Sequence, residues 1–294
     1  MPPRADPSGM AGSASTETLV IRARTGLGAL GLPELWRSRE LVGLLAWRDL
    51  RVRYKQSALG VAWALLQPVL TLAVFGGLFG MLLGPQRMPG MPGVPYALST
   101  FCALAPWQLF ARAVTGGSES LVANQALVTK VYFPRLSLPM APVLAALVDF
   151  ALSMVLLAAL MAWSGVVPGP QVAWLPLLLL LTLGAALGVS LWLAAANALY
   201  RDVRVALPFA VQLWMLVTPV IYTAERVLEG RPHWVAVAYG LNPMAGVVEG
   251  FRHALLGGAP PAALLASSAA VTLLLLASGL VVFRWLEPDF ADRV

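Results

Sequence analysis

The stretch from Trp174 to Ala196, WLPLLLLLTLGAALGVSLWLAAA, contains no charged residue and is built mainly from leucine and alanine. As a helix it would extend roughly 35 Å, enough to cross the ~30 Å hydrocarbon core of a bilayer. An outer-membrane barrel would instead need short strands alternating apolar and polar residues. Similar runs recur through the 294 residues, of which 59% are hydrophobic and only 12% charged. Soluble domains carry about 25% charged residues, so this composition excludes a soluble globular class. The sequence predicts an all-α integral membrane protein with six transmembrane helices, at about 58–83, 97–115, 138–163, 173–199, 207–222 and 262–283.

The cations predict the orientation. Nine precede the first span: Arg4, Arg22, Arg24, Arg37, Arg39, Arg48, Arg51, Arg53 and Lys55. Arg112, Lys130, Arg135, Arg201, Arg204, Arg284 and Arg293 fall on the same side, leaving Arg87, Arg226, Arg231 and Arg252 opposite. Positive residues stay inside, so both termini are expected in the cytoplasm. The net charge of +6 then records topology, and no nucleic-acid partner is expected. Residues 1–34 read as a disordered polar tail without the apolar core of a secretory signal. Residues 35–294 form the membrane domain. Cys102, the single cysteine, admits no internal disulfide.

Prolines punctuate the spans. Pro139, Pro176 and Pro208 suit first turns, where a missing N–H costs little. Pro68, Pro106 and Pro219 lie deeper and should kink their helices.

Directly before the first span stands RDLRVRYKQ, from Arg48 to Gln56. Read as a helix over 41–56, it puts Trp47, Leu50 and Tyr54 on one stripe and Arg48, Arg51 and Lys55 on another. Such a helix suits the headgroup plane, with Asp49 and Arg53 able to pair at i, i+4. The cations either fix orientation and bind lipid phosphate generally, or receive a particular anionic group. The loop after the second span carries Leu127, Val128, Val131, Tyr132 and Phe133. So many apolar side chains suit a short helix docking into a partner's groove, or a hairpin packed on its own bundle. Between the fifth and sixth spans, YGLNPMAGVVEGFRHALLGG is too interrupted to cross and reads as re-entrant or interfacial, with a turn and helix start at Asn242-Pro243.

Catalytic chemistry is sparse. Lys55 and Lys130, the only lysines, do not follow glycine, so the sequence holds no GxxxxGK[ST] phosphate loop. His233 and His253 sit in no zinc motif, and no metal site is expected. No catalytic residue is assigned, which disfavours a membrane-embedded polyprenyl-sugar transferase. Asp149 is the one carboxylate near the centre of a span; without a second acid, histidine or lysine it makes a poor proton relay, and a hydrogen-bonded structural role fits better.

Six motifs in order carry a resemblance: WRDLRVRYKQSALGVAWALLQPVL, VPYALSTFCALAPWQLF, ANQALVTKVYFPRLSLPM, NALYRDVRVALPF, QLWMLVTPVIY and LNPMAGVVEGFRHALLG. From about Leu35 to Val294 the chain resembles permease subunits of type-2 ABC exporters of cell-surface polysaccharide, those for O-antigen, capsule and teichoic acid. The resemblance implies an N-terminal amphipathic interface helix, a cytoplasmic coupling helix within 119–132 and extracellular re-entrant helices over 224–256. It implies a permease homodimer in the bacterial inner membrane with two copies of a separate ATPase that binds ATP and magnesium, the chain itself holding no cofactor. It further implies that Trp47, Glu119, Leu127, Val128, Lys130 and Tyr132 serve ATPase coupling. Trp63, Phe101, Trp107, Trp214 and Tyr222 become candidates for the sugar path. Arg48, Arg51, Arg53 and Lys55 become candidates for receiving the lipid phosphate of a lipid-linked polysaccharide. A type-2 permease for another lipid or small amphiphile is the nearest alternative.

Overall fold

The structure, a computed structural model, describes residues 36–55, 62–63, 66–71, 73–74, 94–131, 133–200 and 202–290. Most of the expected first span, the 1–34 tail, Arg201 and Tyr132 lie outside the described residues. The ordered elements are helices: α1 Arg39–Lys55, α2 Tyr96–Ala123, α3 Gln125–Lys130, α4 Ser137–Trp163 and α5 Leu175–Leu199. There follow α6 Asp202–Val217, α7 Ala224–Leu228, α8 His233–Tyr239, α9 Pro243–Leu256 and α10 Ala262–Leu286.

Among the described residues, Ser137–Trp163, Pro170–Leu199 and Ala262–Asp289 are long and apolar enough to cross a membrane, with mean hydropathies of 2.5, 2.3 and 2.2. They coincide with the spans expected at 138–163, 173–199 and 262–283. The expected second span is only part of α2, which continues past Thr115 through GGSESLVA. The expected fifth span is displaced: α6 starts at Asp202 and stops at Val217. Pro208 is therefore interior to its helix rather than in the first turn. Pro219 lies beyond the helix end and kinks nothing; it helps terminate α6, because it has no N–H to continue the ladder. Pro139 and Pro176 do occupy first turns, and Pro106 and Pro142 are carried inside α2 and α4.

Helix α2 is the axis of the bundle. It packs against α4, α5, α6 and α9, and its buried residues lie all round it. A helix apolar on every side belongs in the middle. The α5–α10 pair is close enough for backbone contact. A Cβ on Gly188 would lie 2.7 Å from the Leu276 nitrogen, and one on Gly279 would lie 2.7 Å from the Gly188 carbonyl oxygen. Small residues supply this approach where the hydrophobic effect gives helices no reason to associate.

The two ends of the bundle differ. At one, Leu45 and Ala46 of α1, Leu121 of α2, Val128 of α3 and Leu136 share a core with Phe283 and Phe290. We call this the basic end. At the other, the cap end, α9 is almost wholly buried against α2, α5 and α10. Fourteen residues make about 21 Å of helix, too short to cross. Its start is as the sequence predicts: the Asn242 side chain accepts from the Met244 N–H at 3.1 Å. Ser268 of α10 accepts from the Gly246 N–H at 3.0 Å, so two otherwise orphaned donors are met within protein.

Candidate functional site

Asp149, placed by its sequence in the middle of a span, lies in a polar cluster with its side chain 5% exposed. Its Oδ2 accepts from Arg53 Nη1 of α1 and from Arg112 Nη1 of α2, each at 2.5 Å. Its Oδ1 accepts from the Tyr54 hydroxyl, and Arg112 Nη2 continues to Gln67 Oε1 at 2.7 Å. Both oxygens of a buried carboxylate are thus satisfied by charge-assisted donors, as burial of a charge requires. Burial first, and then the hydrogen bond to Asp149, push the Tyr54 phenol up to about 12. It stays a neutral donor across the physiological range.

This arrangement corrects two details of the expected interface helix. Asp49 does not pair with Arg53; it accepts from Arg48 at 2.9 Å. Trp47, Leu50 and Tyr54, one stripe along the helix, also do not share one surrounding: Trp47 is exposed, Leu50 packs partly on the core of the basic end and the Tyr54 hydroxyl reaches Asp149. The buried residues of α1 are Val42, Leu45 and Ala46, which dock it on its own bundle. Trp47 is 59% exposed and lies under the Arg51 guanidinium at 5.7 Å, a cation–π distance. Of the four phosphate candidates, Arg53 is engaged by Asp149 and Arg48 by Asp49, while Arg51 and Lys55 project outward.

The segment after α2 divides by face. Val128 is buried in the core of the basic end and Leu127 packs beside it. Gln125, Ala126, Thr129, Lys130 and Val131 are exposed. The hairpin therefore packs on its own bundle through one side and leaves the other side exposed. Glu119 is still within α2 and faces Arg204 at 3.7 Å, an exposed and weak pair.

The aromatic candidates separate similarly. Phe101 and Trp107 are buried in the core. Trp107, Phe110 and Trp214 pack as a ring cluster, with centroids 5.1 to 6.5 Å apart. The Trp214 indole N–H donates to Asn242 Oδ1 at 3.0 Å, tying α6 to the start of α9. The Tyr222 hydroxyl donates to the Val217 carbonyl at 3.0 Å and meets the Tyr239 hydroxyl at 2.8 Å. Trp63 alone among the five keeps a largely open ring, 46% exposed. Sequence reasoning passed over Phe209, 65% exposed on α6 in one stripe with Val205, Leu213 and Leu216. The i, i+4, i+8, i+11 spacing was the signal available.

Also missed is the cap-end ion pair. Arg252 is completely buried. Its Nη1 donates to Glu249 Oε1 at 2.8 Å and to the Pro219 carbonyl at 2.6 Å. Its Nη2 donates to the Val220 carbonyl at 2.6 Å and its Nε to the Ser99 carbonyl at 3.3 Å. Glu249 accepts in turn from the Ala224 N–H at 2.6 Å. One arginine thus caps the carbonyls after α6, and its acidic partner caps the start of α7.

Three apolar helices long enough to cross a membrane, with a basic end and a buried cap, describe an integral membrane protein. The chain belongs to the ABC-2 type transporter family, whose profile matches residues 40–256. Within it, the chain is similar to the O-antigen export system permease protein RfbA of Myxococcus xanthus, at 32% identity over 219 residues, 74% of this chain and 81% of that protein. It is also similar to a protein of the same description from Klebsiella pneumoniae, at 25% identity over 86% of this chain and 94% of the relative.

Proposed function

We propose that the chain is the permease subunit of an ATP-driven exporter of lipid-linked polysaccharide, of the O-antigen, capsule or teichoic acid type. Two copies would act with two separate ATPase subunits, which hold ATP and magnesium. The single observation that carries this reading is the similarity to O-antigen export permeases across four-fifths or more of their length. The absence of a phosphate loop from the sequence supports a separate engine.

On this reading the chain crosses a bacterial inner membrane six times, by the 58–83 segment, α2, α4, α5, α6 together with the stretch that follows it to Tyr222, and α10. The basic end faces the cytoplasm, as the excess of arginine and lysine requires. The exposed side of α3, with Lys130, receives the ATPase. The exposed α6 stripe through Phe209 and the Trp63 ring meet the second copy, and the passage lies between them. Phe101 and Trp107, enclosed within one copy, support its wall rather than touch sugar. At the entrance, Arg51 and Lys55 attract the lipid phosphate, since their charges are not spent on an internal carboxylate. Weak repeated stacking on rings lets a polymer move without being trapped.

Deleting the gene should remove surface polysaccharide, and the wild-type gene should restore it. Arg51→Ala with Lys55→Ala should leave the protein inserted in the membrane and lower surface glycan about tenfold, the loss of two charge-assisted contacts. Full surface glycan in the double variant rejects the entrance role. Full surface glycan in the deletion rejects the exporter reading.

A further inference from the structure

We infer that Asp149 is the positioning residue that makes α1 move with α2 and α4 as one body. Motion given to α1 at the basic end would then enter the membrane helices at this carboxylate. The inference deepens the exporter reading and rests on it for the source of the motion.

The argument begins with how α1 is held. Its buried residues, Val42, Leu45 and Ala46, all lie in its first half. From Trp47 to Lys55 the helix buries none, and Trp47, Arg48, Arg51, Val52, Arg53 and Lys55 are exposed. Hydrophobic packing is therefore densest in the first half of α1, and beyond it Leu50 still packs partly on the same core. What holds the last turn is polar: the Arg53 guanidinium and the Tyr54 hydroxyl, both on Asp149.

The same carboxylate holds Arg112 of α2, and Arg112 holds Gln67, in the chain that leaves α1 for the membrane. Three helices thus meet at one buried acid, and the Gln67 segment joins them through Arg112. Around a carboxylate only 5% exposed, these charge-assisted bonds are stronger than on an open surface. An apolar contact could slide; a guanidinium on a buried carboxylate cannot move without breaking. Arg53 and Arg112 also balance each other across Asp149. Cutting α1 away still leaves the Asp149–Arg112 pair neutral, so the tie to α1 can be severed without stranding a lone buried charge.

The test uses the complete permease–ATPase complex in lipid nanodiscs. Spin labels are placed at Val52→Cys on α1 and Val155→Cys on α4, both exposed positions, while native Cys102 is buried. With Asp149 intact and only one copy of each complex labelled, one narrow inter-label distance is expected both without nucleotide and with ATP and vanadate. Asp149→Asn should broaden that distance in the nucleotide-bound state. It should also lower the glycan moved per ATP hydrolysed by at least about fivefold, while Asp149→Glu recovers part of the loss. A merely structural role would lower assembly without changing that ratio. If Asp149→Asn fails to assemble, Arg53→Gln with Tyr54→Phe is measured for the distance, because it spares the Asp149–Arg112 pair. An unchanged narrow distance in the variants, or an unchanged transport-to-hydrolysis ratio, overturns the inference. The distance measurement needs no glycan, so a wild-type complex that moves no polysaccharide counts against the exporter reading alone.

Discussion

The bundle carries two buried ion clusters, one at each end, built from the same chemistry in opposite proportions. At the cap end a single guanidinium is wholly enclosed, with four acceptors, one of them an acid. Near the basic end a single carboxylate is enclosed, and its two guanidiniums are 39% and 20% exposed. Both clusters touch α2, at Ser99 and at Arg112, separated by thirteen residues or about 20 Å of helix. That is less than the thickness of a bilayer's hydrocarbon core. The difference lies in what is tied. Arg252 and Glu249 satisfy backbone groups, those of the turn between α6 and α7 and the Ser99 carbonyl of α2, which makes the cap rigid. Asp149 joins side chains from three separate helices, α1, α2 and α4, which makes a joint at the last turn of α1.

Several substitutions would break or sharpen this contrast, and the largest effect is expected at the cap. Arg252→Met strands the buried Glu249 and three carbonyls, and should cost about 3–5 kcal/mol. The measurement is the thermal unfolding midpoint in detergent; a change within error would show the cap to be looser than its hydrogen bonds suggest. Gly246→Ala should cost about 1–3 kcal/mol by overpacking, because its Cβ would fall 2.5 Å from the Leu264 carbonyl oxygen and 2.7 Å from the Leu265 Cα. The same midpoint reads it, and a neutral result would mean that α9 can ride away from α10. Tyr54→Phe removes one hydrogen bond from the joint and should cost about 1 kcal/mol. Protection of α1 backbone amides from hydrogen exchange should fall, with the cap unaffected. Equal loss of protection at both ends would erase the distinction.

Much of the fold was legible because membrane solubility writes itself in runs. Three uninterrupted apolar stretches became three long helices, and Asn242-Pro243 opened α9 as its side chain demands. The end of α6 was not legible from hydropathy, since residues past Val217 remain apolar; the stop comes from Pro219 and from Arg252, distant in sequence. The cluster at Asp149 was half legible. Arg112 and Asp149 are lone opposite charges in two adjacent apolar segments, a pattern that asks for pairing. Arg53 gave no such sign, because its i, i+4 spacing to Asp49 offered a local partner that the fold does not use. Glu249 and Arg252, three apart in an apolar segment, carried a similar unread signal. The aromatics were the least legible, because a ring in an apolar helix reads the same whether it faces a neighbour, lipid or a passage.

The central claim is that this chain forms a path for lipid-linked polysaccharide and is driven only from outside itself. The direct measurement is transport of lipid-linked glycan into sealed proteoliposomes holding the permease and its ATPase, compared with a complex whose ATPase binds but cannot hydrolyse ATP. The account predicts luminal glycan that rises with ATP hydrolysis in the first case and stays at background in the second. Equal accumulation with the inactive ATPase, or with the permease alone, would contradict it.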